Sequence, residues 1–149
     1  MRLITPELVL LGMAGDSRAE AISALADRLA SQERLIDIDG FLADVHKREG
    51  QLATGLPGGV AIPHARSAHV KVPSVAFGRS ETGIDWGAED GPARLIFLIA
   101  VPFGAPTDHL AILAKLARRL THQSFRHQLS TFDTEGDVAD LLQESLLRT

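Results

Sequence analysis

Apolar residues along the 149-residue chain follow two rhythms. Short, mostly apolar runs at Val9 to Met13, Val60 to Ile62, Val72 to Gly78 and Leu95 to Val101 predict β-strands, the last one central and buried on both faces. Elsewhere apolar positions recur every three or four residues. Ile22, Leu25 and Leu29 follow Ser17, which forms a capping-box pattern with Glu20, so a first helix is expected near 17–31. Ile38, Phe41, Leu42 and Val45 repeat the spacing, with Asp37 or Asp39 as cap and Gly50 as stop. Thr107 would cap a third helix carrying Leu110, Leu113, Leu116 (or Ala117) and Leu120 on its inner face. A final helix begins near Thr134 and runs through Val138, Leu141, Leu142 and Leu146. Short strands mixed with helices predict a layered α/β domain, helices covering both faces of a sheet. No repeat, linker or low-complexity tail interrupts the pattern, so 1–149 is read as one domain.

Composition narrows the functional classes. At 45% hydrophobic, a chain of this length can bury a real core. Its net charge of −4 gives no reason to expect nucleic-acid binding, which usually needs a basic face. The longest strongly apolar run, Leu95 to Val101, falls far short of the about 20 residues that a membrane span needs. The N-terminal residues show no secretory pattern, which makes a cytoplasmic location the expectation. There are no cysteines, so disulfides, thiol nucleophiles and cysteine-ligated metals are excluded.

The candidate chemistry centres on Gly59-Val60-Ala61-Ile62-Pro63-His64-Ala65-Arg66. A short apolar strand leads to Pro63, which is expected to end it and to leave His64 on a stiff shoulder. A neutral imidazole there can act as nucleophile, base or metal ligand. Upstream, Arg48-Glu49, Thr54-Gly55 and the pair Gly58-Gly59 lead into the segment. Downstream, His109-Leu110 opens the third helix, followed by Leu113-Ala114-Lys115-Leu116-Ala117. These separated motifs resemble the signature of enzyme IIA domains of the sugar phosphotransferase system (PTS), in the fructose and mannitol branch (type 2). The resemblance spans nearly the whole chain.

That resemblance implies a three-layer α/β/α sandwich with a mixed sheet. It also implies a phosphotransferase component working through a phosphohistidine. His64 would accept a phosphoryl group from the histidine-containing phosphocarrier HPr, on Nε2, and pass it to a cysteine of a cognate enzyme IIB. Sugar uptake, of fructose type, would then proceed through the IIC permease. With no cysteine and no membrane segment in this chain, IIB and IIC are expected on separate chains, and the likeness is to a free-standing IIA. The alternative is a regulatory, nitrogen-type IIA that signals by binding other proteins according to its phosphorylation state. Gly83-Ile84-Asp85-Trp86-Gly87 and the residues after His109 look more like the fructose branch. No metal or organic cofactor is implied.

Within the site, Arg48 is expected to grip phosphate oxygens, its plainer role being a cation at a helix C-terminus. Glu49 would orient Arg48 or face water. Thr54, Gly55, Gly58 and Gly59 form a loop whose amides could face an anion, or simply a turn needing positive φ. Thr54 could instead bond one nitrogen of His64 and fix its tautomer. His109, in the first turn of a helix, would stay neutral and donate to the phosphate. A metal held by His64, His69 and His109 lacks supporting ligand spacing. One departure stands out: the family pattern after the central strand has an acidic residue where this chain has Phe103, between Pro102 and Gly104.

Overall fold

The structure, a computed structural model, describes residues 2–13, 15–104 and 108–147, with the side chains at 108–110 and 147 outside that description. Its centre is the strand β6 (Ala93–Pro102), whose residues from Leu95 to Ala100 are all buried. On one side β6 pairs antiparallel with β5 (Ser74–Ile84), and β5 pairs parallel with the short β1 (Val9–Leu10). On the other side lie β3 (Val60–Ala61) and β4 (His64–Ser67), both parallel to β6, with β2 (Gly55–Leu56) antiparallel to β3. The sheet is therefore mixed.

The register corrects one expectation. Val60 pairs with Leu95 and His64 with Ile99, so four residues on one strand answer four on the other. β3 and β4 are a single line alongside β6, interrupted at Ile62 and Pro63. Pro63 has no N–H to give to a ladder, but its carbonyl still accepts from Ile99 N at 3.0 Å. His64 thus resumes the strand rather than following it.

Helices cover both faces. Strand alternation sends Gly78 and Arg79 of β5 to opposite sides of the sheet. Over Gly78 sit Met13 and Leu25, so close that a methyl group there would fall 2.6 Å from the Met13 sulfur. Leu25 belongs to α1 (Arg18–Ser31), which packs beside α2 (Ile38–Gln51). On the other side Arg79 donates to the carbonyls of Leu129 and Phe132, at 3.1 and 2.7 Å, and so ties down the end of α4 (Gln123–Thr131). The remaining helices, α3 (Asp108–Arg119) and α5 (Glu135–Leu147), pack on each other, and α5 reaches β1. The three-layer α/β/α sandwich is present. Phe77 and Phe97, paired across β5 and β6, place their rings 4.9 Å apart in its core.

Local chemistry explains most element ends. Ser17 accepts from Glu20 N at 3.1 Å and starts α1. Thr134 does the same for Asp137 N at 3.2 Å before α5. Asp37 precedes α2 without a side-chain cap bond; its carboxylate lies 3.8 Å from His69 Nδ1 instead. Gly50 does not stop α2, which runs one residue further. The expected Thr107 cap lies outside the described residues. β1 ends at Leu10 rather than Met13, although Met13 N still donates to Arg79 O at 3.0 Å. β5 begins at Ser74 and continues past Gly78 through a polar stretch, with a register shift between Arg79 and Ile84. Arg34 is buried and donates to Arg2 O and Ser74 Oγ; loss of water lowers its pKa below the usual guanidinium value.

Candidate functional site

A cleft of about 350 Å³ opens over the β4 end of the sheet, between α2 and α3. The two-residue period of β4 puts His64 and Arg66 on one face. Their partners on β6, Ile99 and Val101, lie beside them and make the floor apolar. From α2 come Asp44 and Arg48, one helical turn apart on a shared face, and from α3 comes Leu113.

His64 Nδ1 lies 2.9 Å from the carbonyl oxygen of Ile62. A carbonyl can only accept, so Nδ1 carries the proton. In the neutral ring Nε2 then keeps its lone pair, and this is the nitrogen the backbone leaves free. The acceptor belongs to the Ile62–Pro63 bond, whose nitrogen has no proton to compete.

Behind this bond stands a buried carboxylate. The Glu49 side chain is 8% exposed. It accepts from Thr54 N at 2.8 Å and Thr54 Oγ1 at 2.6 Å, and from Trp86 Nε1 at 3.1 Å. Arg18 approaches it to 3.9 Å. The Thr54 carbonyl in turn accepts from Ile62 N at 3.1 Å. Glu49, Thr54 and Ile62 therefore form a hydrogen-bonded chain that ends on His64. Two expectations are corrected: Glu49 neither orients Arg48 nor faces water, and Thr54 bonds Glu49 rather than His64. Trp86, fully buried, belongs to this support and does not line the cleft.

The front of the site is open. Arg48 donates one N–H to Leu52 O at 3.1 Å, closing the end of α2, and keeps its other donors. Arg66 donates to Phe103 O at 3.3 Å, and its guanidinium stands 5.9 Å from the Phe103 ring centre. Phe103 itself is 56% exposed, at the rim.

Thr54, Gly55, Gly58 and Gly59 do not line the cleft. Gly58 and Gly59 have φ of 93° and 76° and make the β2–β3 turn, and the Gly58 amide is already bonded to Asp90 Oδ2 at 2.9 Å. At Gly55 a methyl group would fall 2.8 Å from the Trp86 carbonyl oxygen. His109 is in the first turn of α3, the helix that supplies Leu113, and its side chain lies outside the described residues. Among the described residues no cluster of three His, Asp or Glu could hold a metal. His69 faces α2, its ring so close that a methyl on Gly40 would lie 2.5 Å away.

The sequence pattern described as the phosphoenolpyruvate-dependent sugar phosphotransferase system, EIIA 2, matches residues 2–145. The chain belongs to that EIIA family. This EIIA is 41% identical to the PTS fructose-specific EIIA component of Haloferax volcanii, over 95% of this chain and 93% of that one. The nitrogen regulatory protein IIA-Ntr of Neisseria meningitidis shares its fold with a TM-score of 0.86 at 32% identity, covering 94% of this chain and 96% of that one. The mannitol IIA of Escherichia coli, solved in complex with phosphorylated IIB, shares the fold at TM-score 0.79 and 22% identity, over 93% of this chain and 96% of that one. No described helix of this EIIA is long and apolar enough to cross a membrane.

Two charged residues of the EIIA cleft were given no role from sequence: Asp44, and Arg66, which stands in the motif itself. Both carried a usable signal. Arg66 is two positions from His64, which in a strand means the same face, and Asp44 is four positions before Arg48, which in a helix means the same side.

Proposed function

We propose that His64 is a phosphoryl acceptor, taking phosphate on Nε2 from HPr and passing it to a cysteine of a cognate IIB in fructose-type sugar uptake. The observation that carries this reading is the Nδ1 bond to Ile62 O, which leaves Nε2 as the free nucleophile in a cleft with two arginines. In the first step the Nε2 lone pair forms the new N–P bond as the donor's N–P bond breaks. The electron pair stays on the donor imidazole, which departs neutral if its other nitrogen is protonated. The proton stays on His64 Nδ1, donated to the Ile62 carbonyl, throughout. In the second step a thiolate attacks phosphorus, the S–P bond forms, and the N–P pair returns to Nε2. Negative charge spread over the phosphoryl oxygens is met by fixed cations, Arg48 and Arg66, with no metal required in the step. His109 is proposed as a further donor from α3. Thr54, Gly55, Gly58, Gly59 and Glu49 act from behind, holding the segment that aims His64. The 41% identity to a fructose-specific EIIA supports the transport role. The phosphorylated IIB bound to the mannitol IIA supports IIB as acceptor.

A regulatory role is the second reading, favoured by the likeness to IIA-Ntr. Both roles share the phosphorylated histidine. The test is transfer of label from radioactive phosphoenolpyruvate through enzyme I and HPr, comparing wild type with His64→Ala. Acid-labile, base-stable label on the wild type alone is expected. Equal labelling of the variant would overturn the assignment. Subsequent discharge by purified IIB of the fructose type separates transport from regulation.

A further inference from the structure

We propose that Asp44 keeps the phosphoryl group on His64 transferable, by offsetting one of the two guanidiniums that would otherwise hold it. The inference rests on the phosphocarrier reading above. The described cleft lining carries two guanidiniums, Arg48 and Arg66, and one carboxylate, Asp44. A phosphoryl group on Nε2 brings about two negative charges at neutral pH. The proton retained on Nδ1 makes the phosphorylated ring cationic, so phospho-His64 carries about one net negative charge, and two arginines alone would leave the cleft with positive charge in excess. Asp44 offsets that excess.

The carboxylate is fixed in place. Its Oδ2 accepts from the hydroxyl of Ser67 at 2.5 Å, and Ser67 is completely buried on β4. Ser67 Oγ accepts in turn from His69 N at 3.1 Å, so the donor is itself fixed. Asp44 forms no ion pair with Arg48 or Arg66, although all three line one cleft. Each arginine instead spends an N–H on a backbone carbonyl, Leu52 for Arg48 and Phe103 for Arg66. The two cations and the anion are thus separately anchored, and an arriving phosphoryl group meets both signs. A carrier needs this balance, because a site with cations in excess would retain the phosphoryl group.

Asp44 and His64 line the same cleft, and at a separation of about 7 Å in a half-solvated setting repulsion corresponds to roughly a tenfold change in an equilibrium constant. The experiment equilibrates the full chain with phosphorylated HPr and reads the ratio of the two phosphohistidines by phosphorus NMR. Asp44→Asn keeps an oxygen for the Ser67 hydroxyl and removes only the charge. It is expected to move the equilibrium about tenfold toward phospho-His64, to slow discharge onto IIB, and to lose most of this effect in molar salt. Ser67→Ala, which frees the carboxylate to swing away, is expected to shift it in the same direction by less. An unchanged ratio in Asp44→Asn, or a shift toward HPr, overturns the proposal while leaving the phosphocarrier reading intact. No phosphate on wild-type protein would overturn that reading first, and this proposal with it.

Discussion

The two sides of His64 are built differently. Behind it the structure is closed: Glu49, Thr54, Trp86 and Ile62 are joined by hydrogen bonds of 2.6–3.1 Å, and Trp86 is fully buried. In front, Arg48, Arg66 and Asp44 each keep bonding capacity and face a cleft whose rim ends in an exposed Phe103. The back fixes which nitrogen carries the proton. The front decides what meets the other nitrogen. The contrast also separates stability from chemistry: damage behind the ring should cost both, and damage in front should cost chemistry alone.

The largest stability effect is expected from Glu49→Ala. It strips the acceptor from two Thr54 donors and the Trp86 N–H, and leaves Arg18 without its carboxylate. A loss of about 3–5 kcal/mol, read from the midpoint of urea unfolding, is the expected outcome. Transfer activity should fall with it, and a loss under about 1 kcal/mol would mean that this network does not support the fold. Gly55→Ala should come next, at about 1–3 kcal/mol, because its new methyl collides with the Trp86 backbone rather than a movable side chain.

In front of the ring the order reverses. Arg48→Met is expected to slow phosphoryl transfer by about 10²-fold, the usual scale for removing one fixed donor to developing charge. Its unfolding midpoint should move by less than the equivalent of about 1 kcal/mol, since only the Leu52 carbonyl loses a partner. The smallest effect belongs to Phe103→Ala. Exposed at the rim, it should change stability by within about 0.5 kcal/mol and alter transfer only a few-fold, through the looser hold on Arg66. A large destabilisation by either front variant would erase the distinction between the two sides.

Much of this was legible in the chain. The spacing of Ile22, Leu25 and Leu29 after Ser17 places α1 to within a residue, and the apolar run from Leu95 marks the central strand. Less legible were features set by distant partners. The strand expected to end at Gly78 continues to Ile84, and the register shift with β6 between Arg79 and Ile84 depends on that distant partner. Pro63 suggests a strand end because its missing N–H is a local fact, while the register shared by β3 and β4 is not. Glu49 could be read only as an orienter of Arg48 or as solvated, because the groups that bond it come from three other segments, at Arg18, Thr54 and Trp86. His64 and Arg48 could be named from their motifs, yet their neighbours Asp44 and Arg66 needed the strand and helix periods to be applied outward from them.

The central claim is that a backbone carbonyl holds the proton on one nitrogen of His64 and leaves the other free for phosphate. The most direct measurement is nitrogen and phosphorus NMR on protein with ¹⁵N-labelled histidine, before and after phosphorylation by HPr. The account predicts a neutral His64 protonated at Nδ1 beforehand, and afterwards a nitrogen–phosphorus coupling at His64 Nε2 with the Nδ1 proton retained. Phosphate on Nδ1, or on any other histidine, would contradict it.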